Sequence, residues 1–210
     1  MITSLHRILT DKDFASPYCK NYSSDYVLSL QPVEKAMFAF KLLPELDSNL
    51  RDSSQEYAAS AQYLFEWLNI PCIVVSGSLK ANPEEKHFWN IVTIDGYSFH
   101  FDAYFSNPEQ LEKLTQTEDI EPLIIGNPAY HFFCTSTSRI SQTHVFGENF
   151  PQVDCPHSLS QELVRKLASM GVWIRLRIPM KLSGIMPPKP VSPLHINYTA
   201  ATTPITLSFE

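Results

Sequence analysis

Nowhere in the 210 residues does an apolar run approach the length needed to cross a bilayer. A membrane partner is therefore not expected. The first twenty residues are not expected to act as a secretory leader, because Asp11, Lys12 and Asp13 interrupt what would have to be an unbroken apolar segment. The default expectation is a cytoplasmic protein. Positive charge is scarce: 16 Lys and Arg stand against 22 Asp and Glu, a net charge of −6. Phosphate recognition needs clustered cations, so a nucleic-acid partner is not expected either. Lys80 and Lys86, on either side of a short loop, read as solvated. Cys19, Cys72, Cys134 and Cys155 lie far apart, with no Cys-x-x-Cys spacing to suggest a zinc ribbon or a redox pair. No helical His-Glu-x-x-His is present, and no internal repeat.

What remains is an ordinary globular composition, 44% hydrophobic and 18% charged, in a chain long enough for a sizeable core. Residues 1–30 read as an irregular N-terminal cover. Residues 31–157 form the expected core domain, and 158–210 a C-terminal extension. Val33, Ala36, Met37, Phe40 and Leu43 make one stripe of a helix over Pro32 to Leu43, with a loop through Asp47 to Asp52 after it. Asn107-Pro108-Glu109 opens a short helix ending near Leu114, and residues 117–129 form a loop. Tyr130 to Thr135 is predicted as a strand. Ser158 to Met170 is predicted as a helix, with Ser158 and Gln161 at capping-box spacing. Val172 to Met180 alternates as a strand. Five prolines between 179 and 193 mark an extended connector, and short β runs follow at His195 to Thr199 and Ile205 to Phe209. Those runs are expected at a sheet edge or against another subunit. The oligomeric state is left open.

The most informative stretch runs from His87 to Asp102. Asp95-Gly96 sits between two β-rich runs, and a two-residue type I′ turn needs positive φ at both central positions. Such a turn pairs Ile94 with Tyr97, Val92 with Phe99, Asn90 with Phe101 and Trp89 with Asp102. Side chains alternate along a strand, so one face carries Phe88, Asn90, Val92, Ile94, Tyr97, Phe99 and Phe101 and is the core face. The other carries His87, Trp89, Ile91, His100 and Asp102. Asp102 is then a diagonal neighbour of His87, within reach of its imidazole. Periodicity alone favours an ordinary amphipathic hairpin with these polar residues facing water.

Upstream, Ser53 and Glu56 have capping-box spacing ahead of a helical stripe of Tyr57, Ala58, Ala61, Leu64, Phe65 and Leu68. Ser54 falls in the first turn, where unpaired N–H groups and the helix dipole favour an anion. A serine there is by itself most often a capping residue. Cys72, just past the far end of that helix, is the wrong place for a thiolate and reads as a small buried hydrophobe. A zinc site built from His87, His100 and Asp102 is weighed and set aside, since most such histidines carry no metal.

Taken together, five features resemble the core of the bacterial transglutaminase-like family. They are Ser54-Gln55-Glu56-Tyr57-Ala58, the helix-to-strand run from Leu64 to Gly77, His87-Phe88-Trp89-Asn90, Asp95-Gly96, and Asp102 fifteen residues after the histidine. The family pattern is cysteine, two residues, an aromatic and alanine, then a His-Ala-Trp-Asn motif, then the aspartate. Tyr130 to His144 and Phe150-Pro151 resemble the tail of such domains more weakly. The likeness spans about residues 35 to 155.

This resemblance implies an α+β fold of the papain-like, transglutaminase-like kind, with the nucleophile helix packed on an antiparallel sheet. It implies acyl transfer or amide hydrolysis on peptide or protein amides, with no cofactor. His87 takes the role of general base and acid, Asp102 orients it, and Ser54 stands at the nucleophile. Trp89 and Asn90 are supports around the histidine. Asp52 stands where many members have glycine, and its charge opposes an anion at 54. Three readings of Ser54 stand side by side. It replaces a catalytic cysteine by design; it marks a naturally non-catalytic domain that binds peptide or is structural; or it is a working serine nucleophile.

Overall fold

A left-handed pair of residues, Asp95 at φ 50° and Gly96 at φ 84°, turns the chain between two antiparallel strands. The turn sets the register expected from it: Ile94 pairs with Tyr97, Val92 with Phe99 and Asn90 with Phe101. The computed structural model describes residues 24–44, 53–117, 128–169 and 205–209. The N-terminal cover before residue 24, Asp52, the strand predicted over Val172 to Met180, the proline-rich connector and the run His195 to Thr199 lie outside the described residues.

Four strands, β1 (Cys72–Leu79), β2 (Asn82–Ile94), β3 (Tyr97–Phe101) and β4 (His144–Phe146), form a curled antiparallel sheet in the order β3-β2-β1-β4. The helices are α1 (Ser24–Ser29), α2 (Pro32–Leu42), α3 (Ser54–Trp67), α4 (Pro108–Thr115), α5 (Thr137–Ile140) and α6 (Gln161–Ser169). The molecule is thus a mixed α and β fold around one antiparallel sheet. Among the described residues no helix is long and apolar enough to cross a membrane.

One face of the sheet packs on α2 and α3. Val92, Ile94, Phe99 and Phe101 meet Met37, Phe40, Leu64 and Phe65 there, all buried. Phe101 stands edge-on to both Phe40 and Phe65, with ring centroids 5.5 and 4.9 Å apart. Each such side chain contributes about 1.5–3 kcal/mol over an exposed one, which makes this layer the main source of stability. Tyr97, assigned to the same face, lies at the strand end and is exposed.

On the opposite face the hairpin residues His87, Trp89, Ile91 and His100 are buried, contrary to what periodicity alone favours, although Ile73 beside Ile91 is exposed. Trp89, Ile91, Cys155 and Val75 form a second buried cluster, with Phe146, Phe150 and Val153 packed over it. Residues 146–155 cover Trp89 and His100, while Tyr104, Phe105 and His144 close over His87 and Asp102. β4 can lie close to β1 because Gly77 has no side chain. A Cβ there would fall 1.9 Å from the Val145 carbonyl oxygen.

Several expected elements differ. Residues 130–135 are not a strand: a 3₁₀ turn covers Pro128–Phe132, and Cys134 at φ 48° breaks extension. Only Thr135 pairs, exchanging two backbone hydrogen bonds with His100 at 2.9 Å each. The last described helix starts at Gln161 because the Ser158 hydroxyl is taken up by the backbone N–H of Ser136 at 2.9 Å. Ser160 Oγ, in its place, accepts from Leu163 N–H. Phe209 bridges Leu159 and so does not extend the four-stranded sheet. The helix opened by Asn107 does form, its side chain accepting from Glu109 N–H at 2.9 Å.

Candidate functional site

Ser54 is the first residue of α3, and Ser53 precedes it in extended conformation. The helix is opened by the Ser53 carbonyl, which accepts from the N–H groups of Glu56 and Tyr57, both at 3.1 Å. The capping box expected here does not form. The Ser53 hydroxyl makes no cap bond, and Glu56 Oε2 is buried without a partner among the described residues. The amides of Ser54 and Gln55 precede the first intrahelical bond, so α3 offers two donors at its start.

The Ser54 hydroxyl oxygen accepts from the backbone N–H of Phe88 at 3.2 Å. That bond brings the start of α3 against β2, one residue along from His87. No hydrogen bond joins Ser54 Oγ to the His87 ring. The two residues do line a common cleft of about 220 Å³, together with Gln55, Leu79, Lys86 and Tyr104.

His87 and Asp102 meet as their spacing implies. His87 Nε2 lies 2.7 Å from Asp102 Oδ2, with both residues buried. β3 ends at Phe101, so Asp102 is not in a strand and the expected pairing of Trp89 with Asp102 does not form. Asp102 instead caps the 3₁₀ turn Ala103–Ser106, its Oδ1 accepting from Tyr104 N–H at 3.0 Å. A carboxylate is an acceptor only, so His87 donates Nε2–H to it and Nδ1 is the nitrogen left to exchange a proton. The His87 ring is packed between Phe105, Tyr104 and Trp89.

Asp102 has a second imidazole that sequence reasoning did not single out. His144 Nε2 lies 3.1 Å from the same Oδ2, and the His144 and His87 rings contact each other edge-on at 5.1 Å. His144 Nδ1 is 2.8 Å from Thr143 Oγ1. Burial lowers the basicity of His144, although Asp102 pulls it the other way. Burial alone raises the Asp102 carboxyl, but the charge of His87 and the hydrogen bonds of both imidazoles outweigh this and bring it to about 2. His144 lies in the segment that resembles the family only weakly, inside a three-residue strand. A histidine among short β-prone residues is too slight a signal to find it.

Trp89 and Asn90 hold the surroundings. Trp89 Nε1–H donates to His100 Nδ1 at 3.1 Å, and His100 Nε2 reaches Thr137 Oγ1 at 3.1 Å. Burial, with help from His144, pushes His100 down to about 4. With both ring nitrogens engaged in this way, His100 is a structural group and does not join His87. Asn90 donates to the Ala58 carbonyl at 3.0 Å and to Cys72 Sγ at 3.4 Å. The Cys72 thiol is pushed up to about 12, chiefly by burial, which fits an unreactive hydrophobe.

His87, Asp102 and His144, not His87, His100 and Asp102, bring three metal-type donor atoms within 4.8 Å of one another. The 2.7 and 3.1 Å separations are hydrogen-bond lengths. They are shorter than the roughly 3.3 Å edge of a tetrahedral zinc site with bonds near 2.0 Å. Hydrogen bonding accounts for the cluster. No family model matches the sequence, and no curated protein matches it significantly.

Proposed function

We propose that this chain carries the acyl-transfer site of a transglutaminase-like, papain-like domain, with serine at the nucleophile position. The observation that carries the reading is the Ser54 hydroxyl held on the Phe88 amide, beside a His87 whose Nε2 is bound to Asp102. This arrangement leaves His87 Nδ1 as the nitrogen able to take a proton from the residue at 54. A buried carboxylate holds the ring in orientation. The first-turn amides of α3 are suited to an oxyanion.

With cysteine at 54, a thiolate would attack an amide carbonyl and form the tetrahedral adduct. His87 would pass its proton to the leaving amine, and water or a second amine would release the acyl group. The substrate class is peptide or protein amides. Glu85 and Lys86 border both the Ser54 cleft and a larger one of about 370 Å³ along β1 and β4, giving an extended chain room to lie across the site. A serine must lose a far more tightly held proton during attack, so the chain as it stands is a poor catalyst. A second reading, a non-catalytic domain that binds peptide in the same clefts, draws on the Ser54 hydroxyl being bonded to backbone and not to the imidazole.

Ser54→Cys tests the reading. Labelling by iodoacetamide at pH 6 is expected to exceed that of an unstructured thiol at least tenfold, and His87→Ala is expected to abolish the excess. Labelling no faster than an unstructured thiol overturns the enzymatic reading in favour of the binding domain.

A further inference from the structure

We propose that His144 is a positioning residue for this site: it bonds the same Asp102 oxygen as His87 and sets how strongly that carboxylate binds the His87 proton. The inference rests on the acyl-transfer reading above for its consequence, but its geometry stands by itself. Oδ2 of Asp102 is shared, with His87 Nε2 at 2.7 Å and His144 Nε2 at 3.1 Å, while Oδ1 is occupied by the Tyr104 amide. Asp102 is 1% exposed and His144 2%, so water does not compete for these positions.

Proton accounting assigns the states. An ionised Asp102 has no proton to give, so both imidazoles must donate Nε2–H to it. In neutral His144 the remaining nitrogen, Nδ1, is then an acceptor, and the Thr143 hydroxyl 2.8 Å away supplies the proton in preference to its longer 3.3 Å contact with the Ile140 carbonyl. Both Nε2–H groups and both carboxylate oxygens are then satisfied. A charge on His144 is opposed by its burial and by the neighbouring His87, and His144 stays neutral for that reason. The groups that face the cluster are His87 and Trp89 from β2, His100 from β3, Tyr104 and Phe105 from the 3₁₀ turn, and Phe132. Among these, Asp102 is the sole carboxylate.

Two consequences follow for His87. Each hydrogen bond to a carboxylate stabilises its charge and weakens its pull on other donors. With His144 in place, His87 is held by a carboxylate shared between two donors, and its Nδ1 stays available to accept a proton and release it to a leaving amine. The carboxylate also keeps its orientation when His87 moves during turnover, because His144 and the Tyr104 amide hold it from two other directions.

The test uses nitrogen-15 NMR of the imidazoles in the full chain, which needs no catalysis. In the unmodified protein, His144 is expected as the neutral Nε2–H tautomer, with its midpoint below the ordinary histidine value. An Nδ1–H tautomer, or titration near the ordinary histidine value, overturns the proposal without any variant. His144→Leu removes the donor, and the His87 midpoint is expected to rise by roughly half to one pH unit. His144→Gln, whose amide reaches about as far as Nε2, is expected to restore most of the original midpoint. An unchanged His87 midpoint in a folded His144→Leu protein reduces His144 to packing and overturns the proposal. In the Ser54→Cys background, the upper limb of the labelling profile should shift in parallel. A Ser54→Cys protein that does not label, with a His87 midpoint that still responds to residue 144, removes the enzymatic reading and supports the coupling.

Discussion

Asn90 Nδ2 donates to the carbonyl oxygen of Ala58 at 3.0 Å, and this bond ties the hairpin that carries His87 to the helix that carries Ser54. Both residues are buried. Asn90→Leu, similar in size, is expected to cost about 1–2 kcal/mol by urea denaturation, the range for one lost buried hydrogen bond. Asn90→Asp is expected to cost more, since it sets a carboxylate against that carbonyl and the Cys72 sulfur.

Backbone volume at Gly77 controls the approach of β4. Gly77→Ala would put a methyl 1.9 Å from a backbone oxygen of Val145, which cannot swing aside as a side chain can. A loss of about 3 kcal/mol or more is expected. His144 leaves Asp102 as β4 is displaced, so the His87 midpoint should move in the same direction as in His144→Leu. Thermal melting and imidazole NMR check the two effects separately.

Acid sensitivity should begin well above the carboxylate range. His100 is held neutral, titrating near 4 in the fold against 6.5 for the free side chain. Between those values the unfolded chain binds the extra proton, so stability falls as pH drops from about 6.5 to 4, by on the order of 3 kcal/mol. Asp102 acts lower. Its depressed carboxyl contributes stability above about pH 4 that is lost as pH falls toward 2. His100→Gln is expected to flatten the upper part of a stability-against-pH curve, and Asp102→Asn the lower part.

Native thiols provide the background for the Ser54→Cys experiment. Burial raises Cys72 to about 12, Cys155 to about 11 and Cys134 further still. Each is expected to alkylate more slowly than a free thiol at pH 7 by at least tenfold, as read by site-resolved mass spectrometry. Fast modification at any of them would mean that the protein opens locally on the labelling timescale.

Much of the site was legible because local chemistry dictates it. Asp95-Gly96 admits few turns, and that turn sets the register which brings Asp102 toward His87. The start of α3 was legible from its stripe of apolar residues, although the side-chain cap read from Ser53 and Glu56 does not form. What stayed hidden depends on distant chain. His144 reaches Asp102 across 42 residues of sequence, through a strand of three. The enclosure of Trp89 and His100 depends on Phe146, Phe150 and Cys155, whose pattern carries no sign of which surface they cover. Tyr130 to Thr135 is rich in β-prone aromatics, yet tertiary packing bends it at Cys134.

Because both layers beside the hairpin are filled, its reading frame has no harmless alternative. One extra residue at Asp95-Gly96 would carry His100 and Asp102 into the aromatic layer against α2 and α3, and Phe99 and Phe101 toward His87. A sheet with a wet side can tolerate such a slip by presenting the wrong residues to solvent. Here the slip would bury a charge among phenylalanines, so the turn guards the chemistry and the fold at once.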